Sequence, residues 1–514
     1  MNKIACLVLF FVCCSFSIKA QKAGVIKIAC IGASITEGAG LAHPAAEAYP
    51  QLLQLKLSNR YRVHNYGISG TTLLRKGDAS YWNTNAYKLA LQSQPDIVFI
   101  DLGGNDSKLI NRGHLDEFEQ DCHDLIRSFR QLPSHPRVIL LLPLPCFLQD
   151  TAQIYDATIV SVIIPHIRNV AYADDAEVLD MHSLFVDKES LMPDKIHPNL
   201  EGAHIIASRL FELLALKTDR HFDIFSNMHQ QFVMSSFYGY KCADFTFSGR
   251  NSKIVQPKYA AKNHPWIWRA RFWGHEPQTD IALLEHGFYV VYCDVAEMFG
   301  NEEAVSIWNA FYAEVHDAGL GDKAVLEGMS RGAVYALNWA AVNTGKVACV
   351  YIDNPVLDLK MWPGGLGKYP ASPDELDTLK ADYHLKDDND LKNFKGSPID
   401  KTVQIAKGKY PILILCADAD EAVNPQENTL VFEQKIKKLH GKIAVVHKPG
   451  FKHHPHSLPN PTLIVEFILH SLRQMPAYKN VFVPADKMTI EKRVEDLMDK
   501  APAVRWPDIP AVKH

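Results

Sequence analysis

The sequence holds no Cys-x-x-Cys pair, no internal repeat and no low-complexity tract. Past its first twenty residues it has no apolar run long enough to span a bilayer. Each absence removes a class of protein. Without paired cysteines there is no metal ribbon or thiol redox motif to build on. Without an apolar run of bilayer length there is no stable membrane insertion. Neither sign of charge dominates, with 54 Lys and Arg against 58 Asp and Glu. That balance excludes the basic footprint of a nucleic-acid surface and the polybasic patch of a membrane-surface protein. What is there is an ordinary globular composition spread over 514 residues. That is too long for one core, so two domains are expected.

Residues 1–20 read as a cleaved secretory signal. Lys3 is the basic start, Ile4 to Ile18 the apolar stretch and Ala20 the small residue at the cut. A lipid anchor on Cys13 or Cys14 fits less well, because Phe10, Phe11 and Val12 before them are bulky. The expectation is a periplasmic or secreted protein. Seven cysteines remain past the cut, at 30, 122, 146, 242, 293, 349 and 416, with no paired spacing. Four of them sit inside apolar strand-like runs and read as buried free thiols.

Two serines stand at turns that follow buried-strand patterns. The first is Ser34 in Ile31-Gly32-Ala33-Ser34-Ile35-Thr36-Glu37-Gly38, after the β-branched run Val25 to Ile31. Further runs at 61–66, 96–102, 138–142 and 176–180 alternate with helical patterns such as 115–130, which argues a parallel, doubly wound sheet over 25–218. They end in Gly67-Ile68-Ser69-Gly70 and Gly103-Gly104-Asn105-Asp106. Asp194-Lys195-Ile196-His197-Pro198-Asn199 follows, then a helix from 200 to 216. An Asp and a His three residues apart can place carboxylate on imidazole, leaving the ring to face a nucleophile elsewhere.

The second serine is Ser330 in Gly328-Met329-Ser330-Arg331-Gly332. A short apolar strand precedes it and a helix from Ala333 to Ala341 follows, the pattern of a nucleophile elbow. Gly328 and Gly332 are read as letting strand and helix approach. Further strands are read at 244–247, 253–256, 266–272, 288–295, 348–353, 411–417 and 442–447. An acid pair, Asp418 and Asp420, follows one strand, and His453, His454 and His456 follow the last. Asp420 is preferred as the orienting acid because it precedes the Glu-Ala-Val turn. His453, first after the Gly450 loop, is preferred as the base, with His454 as runner-up. The histidine trio lacks the i, i+4 spacing of a helical zinc site and no acid ligand stands near it, so no metal and no cofactor are assigned.

The blocks of the first part, in their order and spacing, resemble the SGNH or GDSL-type hydrolases. The departure is Ala33, where that family has an acid. The resemblance implies a flavodoxin-like parallel sheet with Ser34 as nucleophile, His197 as base and Asp194 orienting it. It also implies an oxyanion hole from the Ser34 and Gly70 backbone N–H groups and the Asn105 amide. The second part, 244–475, resembles α/β-hydrolase esterases, including prolyl-oligopeptidase-like and carbohydrate-esterase members. There the resemblance implies Ser330, Asp420 and His453 as the triad and the Arg331 backbone N–H as one oxyanion donor. The second donor is expected from the loop after 266–272. Arg269 and Arg271 are read equally as binders of a substrate carboxylate and as structural ion pairs.

Between the two lies a packed connector, 219–243. An insertion at 357–401 is read as a cap. The tail, 476–514, carries an amphipathic pattern at 485–499. Two serine esterase modules on one chain imply a bifunctional carbohydrate esterase. Its partner is an ester-decorated polysaccharide or oligosaccharide, with no nucleic acid. The first domain would remove acetyl groups and the second acetyl, methyl or feruloyl esters. The alternatives are a peptidase or lipase in the second domain, or one domain that only binds glycan.

Overall fold

The computed structural model describes residues 24–472. The signal-like segment 1–20 and the tail 476–514 lie outside the described residues. Five strands open the chain: β1 Ile26–Gly32, β2 Tyr61–Gly67, β3 Ile97–Asp101, β4 Arg137–Leu141 and β5 Glu177–Leu179. All pair in parallel, in the order β2-β1-β3-β4-β5. This is a flavodoxin-like doubly wound sheet, and its strand order reverses between β1 and β3. Ser34 follows β1 directly, at the carboxyl end beside that switch, where such sheets place their chemistry. The inner strands β1, β3 and β4 are largely apolar because helices cover both faces, while the edge strand β2 carries Arg62, His64 and Asn65 and is only partly buried. Cores form on either side, one around Ile28, Phe99 and Leu210, the other around Val98, Phe118 and Ile126.

The short strands β6 Thr218–Asp219 and β10 Ala260–Ala261 pair with each other. Between them run β7 Val233–Phe237, β8 Tyr240–Phe247 and β9 Arg250–Gln256. After them come β11 Trp266–Arg269, β12 Tyr289–Cys293, β13 Ala324–Met329, β14 Val347–Asp353, β15 Ile412–Ala417 and β16 Ile443–Lys448. These build one nine-stranded sheet, ordered β16-β15-β14-β13-β11-β12-β9-β8-β7. The strands from β16 to β12 are parallel, and β9, β8 and β7 extend the edge antiparallel. This is the α/β-hydrolase order, with the serine in the turn directly after the interior strand β13. Every residue of β13 is buried, as are ten of the eleven in the following helix Gly332–Val342.

The connector expected at 219–243 is only partly one. The edge hairpin takes up β7 and the start of β8, so the boundary at 244 falls inside a strand. Tyr238 and Gly239 are the turn of that hairpin, at φ 51° and 94°. Two side chains within residues 219–232 reach the second part of the chain. Phe222 stacks on His264 and Asn227 Nδ2 donates to Ala318 O at 2.9 Å. The two sheets are tied by buried polar contacts. Arg209 pairs with Glu285 at 2.7 Å, and the Asp180 N–H donates to the same Glu285. Asn460 Nδ2 donates to Leu184 O and to Asp187 Oδ1. No helix among the described residues is long and apolar enough to cross a membrane. The seven cysteines are all buried and free. For Cys30, burial pushes the thiol far up, which makes it inert.

Candidate active sites

Ser34 opens a four-residue helical turn, Ser34–Glu37, closed by Gly38 at φ 101°. The turn folds close against β1. A Cβ at Gly32 would collide with the Thr36 side chain. Across the sheet end, His197 Nε2 lies 2.8 Å from Ser34 Oγ, and His197 Nδ1 lies 2.6 Å from Asp194 Oδ2. The Asp194 carboxylate also accepts the N–H groups of Ile196 and His197, which wraps the loop around it. Partial burial pushes this carboxyl up, but the bonds from His197 outweigh it and hold it below its ordinary range.

The three donors expected for an oxyanion lie around this serine in different ways. Asn105 is buried and lines the cavity beside Ser34. Its amide spends one N–H on Thr71 O at 3.0 Å, leaving the second. Gly70 sits at φ 81° in the turn after β2, a conformation that favours glycine. Among the described residues, neither the Ser34 nor the Gly70 N–H has a protein acceptor. The cavity itself is small, about 40 Å³, and its wall is apolar: Pro143, Leu144, Pro145, Ile154 and Ile196. Asp101 and Gly104, which the sequence reading did not single out, also line it. Both end the same strand-to-turn block as Asn105, and the strand-end rule points to them equally.

Ser330 is built differently. Its φ is 50°, a left-handed conformation that a serine adopts only under constraint. The constraint is visible. The Ser330 N–H donates to Asp353 O at 2.8 Å, and the Ser330 carbonyl accepts from the Val356 N–H. Gly328 is required, since a Cβ there would sit 2.7 Å from the Ala333 N. Gly332 is not. A Cβ there meets nothing closer than 3.6 Å, ordinary contact, so the paired-glycine expectation holds for one glycine only.

His453 Nε2 lies 3.0 Å from Ser330 Oγ, and His453 Nδ1 lies 2.7 Å from Asp420 Oδ2. Asp420 also accepts the Ala422 and Val423 N–H groups, which is how the Glu-Ala-Val turn fixes it. Asp418 instead faces His447 at 2.7 Å. His454 is half-exposed. Burial, then the neighbouring His456 and His453, push it down to about 4.

Several supporting residues escaped the sequence reading. Asn354 donates to the His453 carbonyl at 2.7 Å and accepts from the Ala417 N–H, linking the serine's neighbour strand to the base loop. Buried Asp353 pairs with Lys448 at 3.0 Å and accepts from the Ser457 N–H at 2.6 Å. Burial raises its carboxyl and Lys448 and His456 lower it, with lowering the net result. Asp353 and Asn354 stand at the end of β14, and that position was the available signal. Tyr369 Oη donates to Asp420 O at 2.8 Å from the insertion, and Glu375, on the helix Pro373–Asp382, ion-pairs with Arg331. The insertion thus reaches both the acid and the residue after the serine.

The two arginines separate. Arg269 is fully buried between Asp280 and Glu327, with Asp280 at 2.5 Å, so it is a structural ion pair. Burial pushes the Glu327 carboxyl well up, with Asp280 adding to it and Arg269 opposing. Arg271 lies on the loop after β11 and pairs with Glu297. Its backbone N would be 3.8 Å from a Gly332 Cβ. Among the described residues, the Arg331 and Arg271 N–H groups lack a protein acceptor, which makes Arg271 the nearest candidate for the second donor.

Residues 30–205 match the GDSL-like Lipase/Acylhydrolase family. The chain is 38% identical over 209 residues to an acetylxylan esterase of Xylanibacter ruminicola, a match covering 37% of this chain and 43% of that protein. The chain therefore spans less than half the length of this curated relative. Among solved structures it is similar to a carbohydrate acetylesterase family member from Sinorhizobium meliloti, at 19% identity and a TM-score of 0.31, over 37% of this chain and 97% of that one. It is also similar to the Pyrococcus horikoshii acylaminoacyl peptidase, at 15% identity and a TM-score of 0.35, over 52% and 45% of the two chains. The N-terminal part of the chain, residues 30–205, is a GDSL-like lipase/acylhydrolase domain.

Proposed function

We propose that the protein is an exported bifunctional carbohydrate esterase with two independent serine sites. The observation that carries this reading is the pair of unbroken Ser–His–Asp chains, one at each sheet. At each, the imidazole takes the serine proton as Oγ attacks the ester carbonyl, and the carboxylate steadies the resulting imidazolium. The oxyanion that forms meets neutral donors: Asn105 with the Ser34 and Gly70 N–H groups at the first site, and the Arg331 and Arg271 N–H groups at the second. The imidazolium then gives its proton to the leaving alkoxide, a sugar oxygen for an acyl ester or methoxide for a methyl ester, and water repeats the sequence on the acyl-enzyme.

For the first site the acyl group is acetyl. The small, apolar-walled cavity supports it, and so does the similarity to an acetylxylan esterase. The second site removes a different ester, acetyl, methyl or feruloyl, from the same polysaccharide. Its reading rests on geometry alone. The units extend over residues 25–218 and from about 233 to 475. Export through the 1–20 segment is part of the proposal, and polymeric substrates outside the cell require it.

The test is to assay Ser34→Ala and Ser330→Ala separately on acetylated and methyl-esterified polysaccharides. Each variant is expected to lose one activity and keep the other. Loss of both in a single folded variant defeats the two-site reading.

A further inference from the structure

Three imidazoles converge at the second base. One ligand nitrogen from each of His453, His454 and His456 lies within 4.8 Å of the other two. Zinc–imidazole bonds are about 2.0–2.1 Å, so three nitrogens around one tetrahedral ion stand roughly 3.4 Å apart. The rings already meet edge to face at 4.8–5.0 Å between centroids, an arrangement in which lone pairs can point to a common centre.

The hydrogen bonds decide which nitrogens are free. His456 Nδ1 lies 3.3 Å from Asp353, so its proton sits there and Nε2 keeps a lone pair. A carboxylate behind an imidazole is the support that metal-binding histidines use. His453 has the same support, since Nδ1 faces Asp420 and leaves the Nε2 lone pair toward Ser330. His454 makes ring contacts but no hydrogen bond among the described residues.

We propose that the 453–456 loop is an inhibitory binding site for zinc-class cations, which switch off the second site by occupying the lone pair its base uses. The inference rests on His453 being that base. A cation bound there leaves Ser330 with no proton acceptor, whereas among the described residues His197 belongs to no such ligand group and the first site stays active. Catalysis itself needs no metal at either site. The other group of potential ligands among the described residues, Cys416, Asp418 and His447, lies behind the acid loop and serves as the control.

The experiment titrates the full chain with zinc chloride. It follows fluorophosphonate labelling of Ser34 and Ser330 by peptide mapping, and zinc binding by competition with a chromophoric chelator. Zinc is expected to stop labelling of Ser330 reversibly and to spare Ser34. His454→Ala should keep its labelling rate without zinc. It should also weaken both inhibition and binding on the order of tenfold or more, since removing even a group that supports a ligand costs about 10–100-fold. His447→Ala should change neither. The proposal is overturned if zinc leaves Ser330 labelling intact, stops both serines alike, or acts as well on His454→Ala. It is also overturned if His447→Ala is the variant that escapes. If Ser330 never labels, even without zinc, the triad reading fails, and the chelator competition still decides whether His454 binds the ion.

Discussion

At Ser34 the acid and base sit three residues apart on one surface loop, and the Asp194 side chain is 52% exposed. At Ser330 they come from the ends of two strands, 33 residues apart, and the Asp420 side chain is 2% exposed. The serines differ in the same way. Ser34 keeps an ordinary negative φ at the start of a short helical turn, while Ser330 is held at φ 50° between β13 and a buried helix. The same hydrogen-bond chain is thus reached by local geometry in one case and by the whole sheet in the other. A local loop can be solvated and still keep its spacing. A triad gathered from distant strand ends depends on every contact that fixes those ends.

The sharpest way to break the comparison is to remove each nucleophile. Ser34→Ala and Ser330→Ala should each lower kcat of one activity on the order of 10⁴-fold or more and spare the other. His453→Ala should match Ser330→Ala in the second activity, and His454→Ala should stay near normal in the absence of zinc. If His454→Ala is instead the dead variant, the base assignment is off by one residue.

Replacing the acids sharpens the contrast between exposed and buried support. Asp420→Asn should cost on the order of 10⁴ in kcat, because among the described residues Asp420 is the group paired with His453 Nδ1 and its side chain is shut off from water. Asp194→Asn should fall toward the lower end of the roughly 10²–10⁴ range of acid–base contributions, since water reaches that carboxylate. Equal losses in both would remove the distinction.

The glycines test the packed elbow. Gly328→Ala should destabilise by roughly 1–3 kcal/mol through overpacking against the Ala333 backbone, read as a lower urea midpoint. Gly332→Ala should leave the midpoint nearly unchanged. A shift of similar size for both would contradict the contact distances.

The smallest effect belongs to Asp101 beside the first site. Burial pushes its carboxyl up to about 6, against a hydrogen bond from Thr36. A raised carboxyl favours folding while protonated. Its contribution is full below the unfolded value of about 3.9 and is lost as pH rises through about 6. Asp101→Asn should flatten the fall in stability across that window in melting experiments at stepped pH. An unchanged slope would show that Asp101 ionises freely.

Much of this was readable in the sequence because the signals are local. Gly32 and Gly328 mark turns where a strand meets a helix too closely for a side chain. Asp194 and His197 need only a three-residue loop to touch. The inner parallel strands of both sheets announce themselves as apolar runs, since a strand covered on both faces buries most of its residues. Tertiary structure decided the rest. His453 and His454 are adjacent and chemically alike, and only the hold of Asn354 on the His453 carbonyl and the position of Asp420 set which ring meets Ser330. Arg269 and Arg271 look equivalent two residues apart, and alternation would put both on one face, yet β11 ends at Arg269, which leaves Arg269 between buried carboxylates and Arg271 on the loop. The edge strand β7 offers no alternation to read, since Ser235 and Ser236 fall on opposite faces and Val233, Met234 and Ser236 are exposed, so its composition resembled a connector. In each case the deciding contact joins residues distant in the chain, and spacing along a sequence carries no record of such contacts.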